Sequence, residues 1–225
     1  MKKIGFVGAY DKKDLVLYIA KILTELKNRV LVIDSTIKQK TRYIVPSIRS
    51  AKSYITEFEG FEVAAGFNNY EVLTQYLGVN ELEYDYILID TDRIAGVQDF
   101  DLNSFDRNYF VTSFDNYFLK RGVEILTGFG ETINLTKVLF AENMLKEEDD
   151  YLNYLTLGQK ILWNEFKLYF PIENGDLTVI HENQRLEKIS LKKLSVQYRD
   201  GIGYLVQEID GNVNKSRIRK IIKGL

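Results

Sequence analysis

The chain has 225 residues, enough for one large domain with a full core, and its 45% hydrophobic and 28% charged content is that of an ordinary folded protein. A formal charge of −2 supplies no overall field for nucleic acid or an anionic surface, so any such attraction must come from a local patch. With no cysteine and a single histidine, His181, the chain excludes disulfides, thiolate metal sites, a cysteine nucleophile and poly-histidine metal centres.

Lys2 to Val7 is a short apolar run, and within it Ile4-Gly5-Phe6-Val7 is continuously apolar, the pattern of a buried parallel strand. A polar turn, Gly8-Ala9-Tyr10-Asp11-Lys12-Lys13-Asp14, follows. Leu15, Ile19, Ile22, Leu23 and Leu26 then recur at helical spacing, with Asp14 as a cap or first-turn acid. Arg29 to Asp34 is a second apolar run that closes on a carboxylate. Residues 35–60 are polar and mixed, with Pro46 as a breaker, and the stretch Glu59 to Gly66 predicts a short strand between turns. A helix is predicted over Asn69 to Leu77 with Val72, Leu73 and Tyr76 inward. Tyr84 to Asp90 is the clearest strand and again ends in an aspartate.

Farther on, Arg107 to Thr112 and Asn134 to Phe140 predict strands, with a helix between them over Phe118 to Leu126. The acidic run Glu147 to Asp150 reads as a solvated helix start rather than a metal site. Tyr151 to Trp163 is expected to be helical, Phe166 to Pro171 a strand, Glu173 to Asp176 a turn, and Leu191 to Ile209 a last long helix weakened by Gly201 and Gly203. His181 lies in a polar stretch and is expected at the surface. Strands alternating with helices imply an α/β fold, a mostly parallel sheet flanked by helices on both faces.

The order of these pieces resembles the ParA/MinD group of deviant P-loop ATPases over nearly the whole chain. The likeness rests on the opening strand-loop-helix, the strand ending at Asp34, the strand Tyr84 to Asp90, the segment Tyr109 to Ser113 before a helix, and the Phe170-Pro171 turn. In that family, loop glycines let backbone N–H groups face the phosphates, a lysine neutralises their charge and a hydroxyl holds magnesium. The family pattern is Lys-Gly-Gly-x-Gly-Lys-Ser/Thr, and the matching segment here is Val7-Gly8-Ala9-Tyr10-Asp11-Lys12-Lys13. Gly8 and Lys12 match. Val7 stands where the resemblance implies a lysine, Asp11 where it implies a glycine, and Lys13 where it implies the magnesium-side hydroxyl. After the second strand the family carries Asp-x-Asp; this chain has Asp34-Ser35-Thr36. By the same resemblance Asp90 matches an aspartate that reaches magnesium through water, and Asn143 an asparagine that contacts the base. Bland readings stand beside these: Asp34 and Asp90 as caps of strand ends, Lys12 and Lys13 as solvated loop residues, Asn143 as a turn residue.

The last residues form a second informative stretch. Ile218, Ile221, Ile222 and Leu225 fall on one helical face, and Arg217, Arg219, Lys220 and Lys223 share the remainder. Such a helix can lie at an anionic membrane surface, or pack its isoleucines on the domain and leave its cations in water. The first arrangement resembles the membrane-targeting helix of MinD-type proteins. The expected organisation is therefore a ParA/MinD-like α/β domain over residues 1–210 and a basic amphipathic tail over 211–225.

The expectation is a non-catalytic scaffold or positioning protein of a bacterial cytoplasm. It would act through protein partners and as a homodimer, peripherally on the inner membrane face, and by resemblance would recruit an assembly such as a pilus or secretion machine. No resident cofactor is expected, ATP and magnesium being the ligands if the site binds at all. Two other functions stay open: an ATP-binding switch with a non-standard loop built on Lys12, Asp34 and Asp90, and a DNA-partitioning ParA-like protein. The second is disfavoured because the tail is the sole dense basic cluster. No signal peptide is expected, since Met1-Lys2-Lys3 leads into only a few apolar residues.

Overall fold

The computed structural model describes residues 1–47, 51–142 and 149–225, together with the course, though not the side chains, of residues 146–148 within a helix. Among the described residues, eight strands form a single sheet in the order β3-β4-β2-β5-β1-β6-β7-β8. These are β1 (Lys2–Val7), β2 (Val30–Asp34), β3 (Tyr54–Phe58), β4 (Phe61–Ala65), β5 (Tyr86–Thr91), β6 (Arg107–Ser113), β7 (Ile133–Ala141) and β8 (Ile161–Pro171). All neighbours run parallel except β3, which pairs antiparallel with β4.

Among the described residues, eight α-helices cover the sheet: α1 (Lys13–Glu25), α2 (Tyr70–Leu77), α3 (Ile94–Asp99), α4 (Asn116–Leu126), α5 (Lys146–Leu155), α6 (Asn174–Leu186), α7 (Val196–Asp210) and α8 (Lys215–Gly224). The alternation of strand side chains divides the core in two. Val30 and Val32 of β2, with Tyr86 and Leu88 of β5, face α1, α6, α7 and α8. Leu31 and Ile33, with Ile87 and Ile89, face α2, α3, α4 and α5. Central strands buried on both sides must be apolar throughout, which is why β1, β2 and β5 read as unbroken runs.

Several expectations are corrected. The short strand expected within Glu59 to Gly66 is β4, but it is one arm of a hairpin with β3, a strand not expected, turning at Glu59-Gly60, where both residues have positive φ. In α2 only Leu73 is buried; Val72 and Tyr76 are exposed, because the helix turns a single narrow stripe toward the core. The helix expected over 151–163 stops at Leu155, and Ile161 to Trp163 belong to β8. The three apolar residues Ile161-Leu162-Trp163 are too short a run for periodicity to tell strand from helix. The segment 173–176 is no free turn: α6 starts at Asn174, and Asp176 accepts from the Ser195 amide and hydroxyl at 2.6 and 2.7 Å. That bond fixes Ser195 as the cap of α7, so this helix starts at Val196 rather than Leu191. Gly201 survives inside α7 because the Phe170 ring lies where its Cβ would be, only 2.8 Å away.

Candidate functional site

In an open parallel sheet, ligand sites form beyond the carboxyl ends of strands, where the chain order reverses. Here β1 lies between β5 and β6, and β2 flanks β5. The register sets Phe6 and Asp34 level with Asp90. The Asp34 and Asp90 carboxylates and the β1–α1 loop therefore meet at one end of the sheet, around a cleft of about 280 Å³. Its lining includes Asp11, Lys12, Lys13, Lys40, Asp34 and Asp90.

The loop turns at Gly8, whose φ is +141°. A Cβ there would lie 2.1 Å from the Val111 carbonyl oxygen, so this position needs a glycine on two counts. Four residues on, Lys12 precedes the first turn of α1 and its side chain folds back under the loop. Its ammonium donates to the Gly8 carbonyl at 2.8 Å and lies 2.7 Å from Asp90 Oδ1. The contact to Oδ1 is a close ion pair but lacks the alignment of a good hydrogen bond. Both side chains are almost fully buried, so Lys12 is no solvated loop residue. Burial pushes the Asp90 carboxyl up to about 7; Lys12 opposes the rise, and Asp34 reinforces it.

Asp34 is occupied by the turn that follows it. One oxygen accepts from the Thr36 amide and hydroxyl at 3.0 and 2.6 Å, the other from the Thr41 amide at 3.1 Å. Asp34 thus serves as a strand-end cap, the bland alternative. Its hydrogen bonds also shape the segment that carries Lys40, within a 3-10 turn over Lys40–Tyr43.

Lys13 opens α1, and its ammonium lies 3.1 Å from Asp11 and 2.9 Å from Asp14. Lys40 reaches the same Asp11 carboxylate at 2.6 Å. Burial raises the Asp11 carboxyl, but Lys13 and Lys40 outweigh it and hold its pKa below the usual carboxylate range. Likewise, burial lowers the Lys13 ammonium, while Asp14 and Asp11 more than reverse the effect. Tyr10 at the loop tip stacks on Phe140 with centroids 4.8 Å apart and meets Phe118 edge-on at 5.2 Å, so the tip is pinned by aromatic contacts.

Gly8, Lys12, Lys13, Asp34 and Asp90 are thus brought together, whereas Asn143 lies outside the described residues. Sequence reasoning missed Lys40, Thr41, Tyr10 and Phe140. Lys40 stands 29 positions from Asp11, and no local pattern couples them. His181 is exposed on α6, as expected. Among the described residues, no group of three or more His, Cys, Asp or Glu side chains is placed to hold a metal ion.

At the far end of the chain, α8 packs on α7 and α1. On the apolar stripe, for which the sequence leaves membrane contact and packing on the domain both open, Ile218 and Ile222 are buried in the core, while Ile221 and Leu225 are half-buried against it. Arg217, Arg219, Lys220 and Lys223 point to solvent. No helix among the described residues is long and apolar enough to cross a membrane.

No protein-family model matches this chain, and no curated protein matches it in sequence. Solved structures do match in fold. The MinD cell division protein of Aquifex aeolicus aligns with a TM-score of 0.61 at 13% identity, covering 95% of this chain and 99% of the other. A variant of the Cyanothece protein McdA, in complex with ATP, aligns at 0.57 and 14%, covering 95% and 98%. A ParA family ATPase from Chlorobium tepidum TLS aligns at 0.54 and 14%, covering 100% and 96%. The fold is that of ParA/MinD P-loop ATPases, as the order of motifs implied.

Proposed function

We propose that this chain is a ParA/MinD-like positioning scaffold that has lost ATP hydrolysis and works through protein contacts. The observation that carries the reading is the charge arrangement of the β1–α1 loop. A phosphate loop presents backbone N–H groups and cations to its ligand, and a hydroxyl to the metal. In this loop Asp11 adds a carboxylate, and the first residue of α1 is the cation Lys13, which a divalent ion would repel. Asp34, the nearest carboxylate on β2, already holds the following turn with both oxygens, and Thr36 supplies no second carboxylate. The donor set does not fit a magnesium-bound nucleotide, so no hydrolytic step is assigned to it.

The structural neighbours support a positioning role at the level of fold, and one of them is a protein assembly, the MinC:MinD cell division protein complex of Aquifex aeolicus. The scaffold is proposed to form a homodimer in a bacterial cytoplasm, to place a larger assembly such as a pilus or secretion machine, and to approach the inner membrane face through the cations of α8.

A second reading is favoured by one observation: Lys12 and Asp90 still meet at the floor of the cleft, as an ATP-binding switch would need. Calorimetric titration with ATP and magnesium, run beside a phosphate-release assay, separates the two. The scaffold reading expects no hydrolysis and no micromolar binding. Micromolar binding abolished by Lys12→Ala would establish the switch instead.

A further inference from the structure

We infer that Asp11 is a resident anion: its carboxylate, clasped by Lys13 and Lys40 across the mouth of the cleft, takes the place of an external phosphate and closes the loop to polyphosphate ligands. This rests on the scaffold reading above and supplies its physical cause.

The cleft is of mixed charge. Among the described residues, four lysines and four aspartates line it, so the lining carries no large excess of positive charge. Three of those lysines are already engaged: Lys12 by Asp90, Lys13 by Asp11 and Asp14, and Lys40 by Asp11. A polyphosphate entering here would have to detach ammonium groups from carboxylates and then leave those carboxylates beside its own negative charge.

Asp11 is the hub of this arrangement. Among the lining aspartates, it is the one contacted by ammonium groups from two separate segments, α1 and the turn after β2. Lys40 lies 29 residues away and is carried to the cleft by the turn that Asp34 shapes. The pairs at Asp11 are partly exposed, so they stabilise the fold little. Their consequence is instead local: they cancel the positive potential that would draw in an anion. Tyr10, stacked on Phe140, holds the loop tip beside this clasp.

Removing the charge at Asp11 while keeping its shape should release the Lys40 ammonium and leave Lys13 held by Asp14 alone. The probe is inorganic pyrophosphate, titrated calorimetrically at low ionic strength without metal. Asp11→Asn is expected to bind it at least tenfold more tightly than the wild type. Adding Lys40→Ala to that variant is expected to return most of the gain, because the freed Lys40 ammonium is the new ligand. Asp11→Asn is close to isosteric and its side chain is partly exposed, so the fold should tolerate it. Asp11→Gly, which also frees the backbone, should show the same gain. If neither variant binds pyrophosphate better than the wild type, or if the wild type already binds it as tightly, the inference is overturned. A gain that survives Lys40→Ala overturns the clasp. ATP hydrolysis by the wild-type protein would overturn the scaffold reading itself, so the two failures have different readouts.

Discussion

Lys12 and Asp90 place an ammonium and a carboxylate in a site nearly closed to water, and the two effects on Asp90 pull in opposite directions. Desolvation disfavours its charge, Lys12 favours it, and the balance leaves the carboxyl at about 7. In the unfolded chain the same group titrates near 4, as an ordinary aspartate does. Between those two values the folded state keeps a proton that the unfolded state releases. Acidification through that window therefore adds stability, and the contribution is lost as pH rises through about 7. Carboxyl NMR should find a titration midpoint near neutrality for Asp90. Lys12→Met, which removes the cation and keeps the buried stem, should move the midpoint upward. A midpoint near 4 in the wild type would show that Asp90 is solvated and that the buried pair is misassigned.

At the scale of elements, Gly201 shows how a poor helix former is chosen by packing. Its missing side chain lets α7 lie against Phe170, which stacks on Phe140 and meets Tyr198 edge-on. Phe140 in turn carries Tyr10 of the β1–α1 loop, so the seat of α7 and the shape of the loop are linked by aromatic contacts. Gly201→Ala should destabilise by about 1–3 kcal/mol through overpacking, despite alanine's better helix propensity. Urea unfolding measures this directly, and a gain in stability would mean that the helix can move away freely. The same element explains what the sequence made legible. Strands buried on both faces, such as β1, β2 and β5, declare themselves as apolar runs, and with them the two strand-end aspartates. The start of α7, by contrast, depends on an Asp176–Ser195 contact across 19 positions, and the Lys40–Asp11 pair on one across 29. Neither leaves a periodic trace. The hairpin of β3 and β4 was half hidden because β3 is an edge strand with intermediate burial along its middle.

For the whole molecule, the open matter is how a protein of net charge −2 would meet an anionic membrane through α8. Ile218 and Ile222 are already buried against the domain. Moving them into lipid exchanges one apolar environment for another, so the hydrophobic effect supplies little net drive. What remains is the exposed face of Arg217, Arg219, Lys220 and Lys223. At roughly 1 kcal/mol per cation near an anionic leaflet, one copy gains about 4 kcal/mol, which corresponds to a dissociation constant near 1 mM. Firm attachment would then require two copies held together. Vesicles rich in phosphatidylglycerol should pellet the protein weakly at low salt and lose it at about 0.5 M salt, where the Debye length is a few Å. Replacing the four exposed cations by glutamine should abolish pelleting with little loss of thermal stability, since the one ion pair they form among the described residues, Arg219 with Asp200 at 3.9 Å, is exposed. Deleting residues 215–225 should lower that stability, because it strips a packed helix from α7 and α1. Salt-resistant binding, or a truncated protein as stable as the full chain, would mean that α8 leaves the domain and enters lipid by its isoleucine face.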